Sequence, residues 1–175
     1  MSSPTTHAEW AAYAASLKIE TGLFIDGQFV AAKSGESFDC ISPSTGEVIA
    51  VMAKGGAADI DAAVASSLAA WNDGRWHKLA PRTRLAIMLK WADLVEAHSF
   101  ELAALESMDM GKPISDMFTI DLPEVLKTIR YFAECIDKVE GAVTSTDASA
   151  LHLITHEPLG VVGAITPWNL SLIHI

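Results

Sequence analysis

An amide side chain follows the most apolar run of the sequence. Residues 159–165 are LGVVGAI, and Thr166-Pro-Trp-Asn169 come directly after them. Such a run is typical of a central parallel strand that helices cover on both faces. Ligands of open α/β sheets bind beyond the carboxyl ends of the strands, so we expect residues 165–169 to project into a ligand crevice. The alternative is a turn that closes a core strand, with Trp168 packed and Asn169 bonded to its own backbone.

Two groups of acidic residues lie further upstream. Asp121-Leu-Pro-Glu124 is typical of a helix start, where Asp121 accepts hydrogen bonds from the first amides and Glu124 lies near the positive end of the helix dipole. Glu106 and Asp109 precede Gly111-Lys-Pro113, which is typical of a helix end because glycine accepts a left-handed conformation and proline prevents continuation. We interpret both groups first as helix-terminal residues.

The cysteines and histidines form no nucleophile or zinc motif. Cys40 and Cys135 lie in no CxxC pattern, and neither context predicts an activated thiolate or a disulfide framework. His152 and His156 share one face of a predicted strand, but no carboxylate or cysteine pairs with them in the sequence. We therefore interpret these histidines as surface residues.

Composition limits the classes of protein to which the chain can belong. It has 175 residues, half of them hydrophobic, which is enough for one domain with a core or for a domain and part of another. The net charge of −10 argues against a nucleic-acid or anionic membrane partner. The sequence has neither a cleavable apolar leader nor an apolar run of about 20 residues that would span a bilayer. We predict a cytoplasmic protein without a membrane partner.

Hairpins and a helical block precede the apolar run. Thr6 to Glu9 is typical of a capping box that begins a short helix. Hairpins are predicted around Asp26-Gly27 and around residues 43–46. Between residues 57 and 141 apolar residues recur at helical spacing, which predicts four helices. The last of these has one apolar stripe, formed by Val125, Ile129, Phe132, Ile136 and Val139.

Strands are predicted to follow the helices. Residues 150–157 alternate between apolar and polar, and residues 158–169 fit a strand buried on both faces. Such a strand requires parallel neighbours, which are not in this sequence. We predict an α/β fold that comprises β-hairpins, a helical block and the truncated start of a Rossmann-like parallel sheet.

Three stretches together resemble the amino-terminal part of the NAD(P)-dependent aldehyde dehydrogenases. They are FIDGQFV with SPSTGEVIA, then LESMDMGKP, then EPLGVVGAITPWN, and they occur in the family's order between Leu23 and Asn169. The opening of the chain and IRYFAECIDKVEG are most similar to members that act on γ-glutamyl-γ-aminobutyraldehyde and related aminoaldehydes in putrescine breakdown.

The resemblance implies a division of the chain. Residues 1–140 would be the amino-terminal part of the cofactor-binding domain, residues 141–157 an arm strand that pairs subunits of a homo-oligomer, and residues 158–169 the first strand of the Rossmann-like sheet. Family members continue differently after Asn169. The six residues that follow, LSLIHI, can be encoded by the end sequence of a transposase-based sequencing adapter, so we interpret residues 170–175 as a non-native tail.

The resemblance also implies a cofactor and a catalytic residue. The cofactor would be NAD or NADP, and its nicotinamide half would lie along Ile165, Thr166, Pro167 and Trp168. The amide of Asn169 would donate to the aldehyde oxygen, on which negative charge develops when a cysteine thiolate attacks the carbonyl. Hydride transfer and hydrolysis of the resulting thioester would complete oxidation to the acid.

Substrate and cation sites are implied as well. Asp121 and Glu124 would border the substrate tunnel and attract an aldehyde that carries an ammonium group, so their replacement would raise KM for aminoaldehydes selectively. Asp109, with backbone carbonyls near Ile41, would hold a structural alkali cation.

The family's nucleophilic cysteine, general-base glutamate, ribose-binding lysine and phosphate-binding turn match no position here, so we predict that this chain alone is inactive.

Other functions fit the same residues. One is a betaine-aldehyde or succinate-semialdehyde dehydrogenase, which would differ at the far end of the substrate tunnel. Another is a non-catalytic α/β module that binds a nucleotide or a partner through its exposed sheet edge.

Overall fold

A computed structural model describes residues 4–167 of the chain. In this range, no helix is long and apolar enough to cross a membrane. The strands form three separate two-stranded antiparallel sheets, β1 with β2, β3 with β4 and β5 with β6. The elements in chain order are α1 (His7–Ser16), β1 (Leu23–Ile25), β2 (Gln28–Val30), β3 (Ser37–Ile41), β4 (Val48–Ala53), α2 (Ala57–Asp73), α3 (Pro81–Ala97), α4 (Ser99–Met110), α5 (Ile114–Asp116), a π-helical turn (Met117–Asp121), α6 (Leu122–Cys135), β5 (Ala142–Thr144) and β6 (His152–Ile154).

Local sequence signals place most of these elements correctly. The predicted capping box begins α1, because the Thr6 hydroxyl accepts from the Glu9 amide at 3.3 Å and the Glu9 carboxylate accepts from the Thr6 amide at 2.9 Å. Asp26 and Gly27 both have positive φ angles, 53° and 76°, in the tight turn between β1 and β2. The predicted second hairpin and the helical block are likewise confirmed, and so is the mixed helix and strand class.

The core lies where α6 packs on α3, and where the π-turn and the start of α6 meet α4. One buried cluster joins Ala92 of α3 to Val125 and Ile129 of α6, and a second joins Ala103 of α4 to Met117 and Leu122. Each cluster combines a small alanine with larger apolar side chains, which lets the helix backbones approach closely.

The predicted apolar stripe of the last helix is correct only in part. The buried residues of α6 are Leu122, Val125, Ile129 and Ala133. Phe132 is 61% exposed, and Val139, beyond the end of the helix, is 67% exposed. The core face therefore continues from Ile129 through the small Ala133, one helical turn later, and Phe132 points away from α3.

The predicted cap at Asp121 is wrong. Asp121 has helical angles, φ −68° and ψ −49°, and its side chain caps no amide of α6. The chain instead runs from α5 through the π-turn into α6, and the Leu122 amide donates to the Met117 carbonyl five residues earlier. Pro123 has no amide hydrogen, so the helical ladder must be interrupted near it, and the wider π-turn accommodates that interruption.

The predicted strand at residues 158–169 is not formed in its described part. Residues 155–167 are in neither a helix nor a strand. A β-strand needs a hydrogen-bonded neighbour. Each of the three sheets in the described range has only two strands, which pair with each other and not with residues 155–167. The alternation at residues 150–157 does produce a strand, β6, but only over His152–Ile154, and its partner β5 had no signal of its own.

A buried carboxylate joins the segment that follows the first hairpin to the start of α2. Asp59 is 4% exposed, and it accepts hydrogen bonds from the Gly56 amide at 2.9 Å and from the Lys33 amide at 3.0 Å. These two hydrogen bonds, that of Gly56 first, lower the pKa of Asp59 below its usual value. Because Lys33 is distant in sequence, this side chain ties the segment after the first hairpin to the start of the helix.

Replacing Asp59 by asparagine is expected to weaken this connection in a pH-dependent manner. At pH 7 the Lys33 and Gly56 amides should exchange about tenfold faster, since a neutral amide is a weaker acceptor than a carboxylate. The pKa of Asp59 is lowered by folding, so its stabilising contribution is complete above the unfolded pKa of about 3.9 and is lost as the pH falls through the folded value. The urea midpoints of the two proteins should therefore converge as the pH falls through that folded value. Asp61→Asn, an exposed change on the same helix, is the control and should have little effect. A deficit of Asp59→Asn that does not depend on pH would contradict the assignment.

Candidate functional site

The segment that precedes the predicted cofactor residues is anchored by a glycine. Gly160 has a φ of +91° and lies against the indole of Trp71 in α2, so that a Cβ at this position would be 3.7 Å from the nearest indole atom. The same indole stacks on the imidazole of His77 with ring centroids 4.1 Å apart. A cavity between α2 and residues 160–162 is lined by these rings and by Trp76. The chain therefore packs against α2 at Gly160, five residues before the exposed Ile165.

Beyond that anchor, the described cofactor candidates are open to solvent. Ile165, Thr166 and Pro167 are all exposed, and Ile165 completely so. This exposure fits a wall that a dinucleotide would cover, because both backbone and side chains remain accessible. The other two site residues, Trp168 and Asn169, lie outside the described residues, as do residues 170–175.

The two predicted substrate residues have different environments. Asp121 is 6% exposed, and its carboxylate forms an ion pair with the Lys112 ammonium. Glu124 lies on the exposed face of α6, where its side chain is 53% exposed and 3.3 Å from the Lys127 ammonium. The structure therefore separates the pair into one buried and one accessible carboxylate.

The end of α4 meets the turn of the second hairpin. Gly111 has a φ of +74°, and a Cβ there would lie 2.9 Å from Cγ of Pro43 and 3.1 Å from Oγ of Ser44. The Ser107 hydroxyl donates to the Lys112 carbonyl at 2.6 Å. The motifs SPSTG and LESMDMGKP, which are far apart in the sequence, thus form one junction. Sequence analysis missed this contact, since Gly111 signals a helix end but not what lies against it.

The predicted cation residues lie at the edge of this junction. The Cys40 thiol donates to Asp109 Oδ1 at 3.2 Å, which brings Asp109 beside the strand that contains Ile41. Among residues 4–167 there is no cluster of three or more His, Cys, Asp or Glu side chains suited to a metal ion. The hydrogen bond to Asp109, followed by burial, raises the pKa of Cys40. The Cys40 thiol is therefore harder to deprotonate than a free cysteine.

Glu106 adds a third carboxylate to this region. Burial raises the pKa of Glu106, and the charges of Asp109 and Asp121 raise it further, whereas Lys112 opposes the shift. The Lys112 ammonium pairs with Asp121 of the π-turn, and its charge also acts on Glu106 of α4.

His152 and His156 match the sequence-based interpretation. Both are exposed, and the Nδ1 atom of His152 lies 2.6 Å from the Thr144 hydroxyl on the paired strand. His152 therefore stabilises the β5–β6 hairpin.

Comparison with known proteins identifies relatives over nearly the whole chain. The family model described as the aldehyde dehydrogenase family matches residues 29–175. The aminoacetaldehyde dehydrogenase of Pseudomonas aeruginosa is 44% identical over 165 residues, which are 94% of this chain and 33% of that protein.

Solved structures agree with this match. The γ-glutamyl-γ-aminobutyraldehyde dehydrogenase of Burkholderia cenocepacia J2315 superposes with a TM-score of 0.91 at 46% identity, over 95% of this chain and 34% of that one. An indole-3-acetaldehyde dehydrogenase complexed with NAD+ superposes with a TM-score of 0.93 at 46% identity, over 98% of this chain and 34% of that one. The chain spans about a third of the length of these relatives.

Proposed function

Because the chain belongs to the aldehyde dehydrogenase family, we propose that the full-length protein oxidises an aldehyde to the carboxylic acid with NAD or NADP. The observation that carries this proposal is the superposition on an NAD+-bound relative with 46% identity over 98% of the chain. The cofactor, when bound, supplies the hydride acceptor. The contribution of this chain is to form one wall of its crevice with Ile165, Thr166, Pro167 and Trp168, and to direct the Asn169 amide toward the carbonyl oxygen.

The proposed substrate is an aminoaldehyde, with γ-glutamyl-γ-aminobutyraldehyde as the leading candidate. Two relatives named for aminoaldehydes, one acting on aminoacetaldehyde and one on γ-glutamyl-γ-aminobutyraldehyde, support this choice. The accessible carboxylate of Glu124 on α6 supports it as well, because a carboxylate attracts a substrate ammonium group. An aromatic aldehyde is the second candidate, since an equally similar relative is an indole-3-acetaldehyde dehydrogenase.

We also propose that residues 141–157 pair subunits in a homo-oligomer of the full-length cytoplasmic protein. The β5–β6 hairpin supports this proposal, because Val143 is 69% exposed and Leu153 is 54% exposed. Apolar side chains at such exposure favour association.

An alkali cation bound by Asp109 and the Ile41 carbonyl is a further proposal. The position of Asp109 beside β3 supports it.

The test is turnover by the complete protein with matched aldehydes. We expect reduction of NAD or NADP that depends on added aldehyde, with higher kcat/KM for 3-aminopropionaldehyde than for butyraldehyde, which has the same number of heavy atoms but no charge. Preference for indole-3-acetaldehyde over both would support the aromatic alternative. Failure to reduce either cofactor with any of these aldehydes would contradict the proposed function.

A further inference from the structure

A buried ion pair connects the end of α4 to the π-turn before α6. Lys112 follows the α4 terminator Gly111, and its ammonium contacts the carboxylate of Asp121, the last residue of the π-turn. The two side chains are only 23% and 9% exposed. A charge at such burial is costly unless it is paired, so each partner constrains the position of the other.

The π-turn determines which face of α6 enters the core. Met117 and Leu122 are 1% and 2% exposed and belong to the same buried cluster, although they are five residues apart. In an α-helix each residue adds a rotation of about 100°, so residues five apart would point in different directions. The bond from the Leu122 amide to the Met117 carbonyl brings them onto one face.

The same turn therefore determines the direction of the outer face of α6. If the π-turn became ordinary α-helix, α6 would rotate by about 100° relative to α5. Glu124 lies only three residues after Asp121, and it would then leave its present exposed position. Tyr131, which is 62% exposed on the same helix, would rotate with it.

We propose that Lys112 and Asp121 are positioning residues, whose ion pair holds the π-turn and so orients Glu124 on α6 for the substrate. In this assignment the carboxylate of Asp121 binds no substrate, because its side chain is buried against Lys112. The pair of Glu124 with Lys127 is exposed and leaves the Glu124 carboxylate accessible. Selectivity for a cationic aldehyde then depends on Glu124. The part that concerns substrate rests on the proposed function, whereas the part that concerns the π-turn does not.

Amide hydrogen exchange of the complete protein tests the structural part. Lys112→Met and Asp121→Asn should each accelerate exchange at the Leu122 amide by about tenfold, since each removes one partner of a buried pair. Glu124→Gln is the matched control, with the same chemical change as Asp121→Asn on the exposed face, and it should leave this exchange unchanged. Lys112→Arg retains the charge, so its Leu122 amide should exchange as slowly as that of the parent protein. Unchanged exchange in both Lys112→Met and Asp121→Asn would overturn the proposal.

Kinetics with matched aldehydes tests the functional part. Asp121→Asn and Lys112→Met should both raise KM for 3-aminopropionaldehyde more than for butyraldehyde, because each displaces Glu124, and Lys112→Arg should behave like the parent. Glu124→Gln should raise KM about tenfold for the aminoaldehyde only, because it removes a charge and moves no helix. A rise in KM for the aminoaldehyde with Asp121→Asn but not with Lys112→Met would overturn the proposal and identify Asp121 as a substrate ligand. If the protein oxidises no aldehyde, the proposed function fails, and the exchange experiment still decides whether the ion pair holds the turn.

Discussion

Replacing Asn169 by alanine in the full-length protein is expected to lower kcat by about 100- to 1000-fold, the usual effect of removing one donor from an oxyanion site. The donor acts on charge that develops only in the transition state, so KM for the aldehyde should change little. Steady-state kinetics at saturating cofactor measures both constants.

The matched change Asn169→Asp separates hydrogen-bond donation from side-chain volume. Aspartate has nearly the same shape as asparagine but offers no N–H donor when ionised. The fall in kcat caused by Asn169→Asp should therefore equal or exceed the fall caused by Asn169→Ala. Cofactor affinity, measured by fluorescence titration, should remain close to that of the parent in both variants. A fall in kcat of less than about tenfold in both variants, or an effect confined to KM, would exclude the proposed role.

Replacing Gly111 by alanine is expected to destabilise the chain by about 2–5 kcal/mol. The positive φ of +74° is unfavourable for an L-residue by about 1–2 kcal/mol. The added Cβ would also lie 2.9 Å from Pro43, and overpacking at a tight contact costs a further 1–3 kcal/mol or so. Urea unfolding of the chain should show a lower midpoint with an unchanged dependence on urea concentration.

Gly46 provides the control for the Gly111 experiment. It has the same φ of +74°, but a Cβ at this position would meet nothing within 4 Å. Gly46→Ala should therefore show only the backbone cost, about 1–2 kcal/mol. The difference between the two variants measures the contact between α4 and the turn that contains Pro43. Equal midpoints would mean that this contact does not constrain the junction.

Features that depend on a few neighbouring residues could be predicted from the sequence. The capping box at Thr6 and the turn at Asp26-Gly27 are confirmed, because their hydrogen bonds and backbone angles involve residues within four positions of each other. The end of α4 at Gly111 is confirmed for the same reason. The three motifs also indicated the family, which the match over residues 29–175 establishes.

Asp121 shows why other features could not be predicted. Its position before Leu-Pro-Glu is typical of a cap, and a cap requires only local partners. The Lys112 ammonium, just after the end of α4 at Gly111, instead pairs with this carboxylate, and Asp121 has helical backbone angles. The absence of a strand at residues 155–167 has the same kind of cause. An apolar run forms a strand only when a neighbouring strand pairs with it, and that neighbour is not a local feature of the sequence.

By itself, therefore, the sequence determined the helices, the turns and the family of this protein. Only the tertiary structure decided that Asp121 is buried against Lys112 while Glu124 is accessible, and that Gly111 must lie against Pro43. The physical reason is that helix and turn signals act over a few residues of backbone. Burial and ion pairing instead depend on which distant segments the fold brings together.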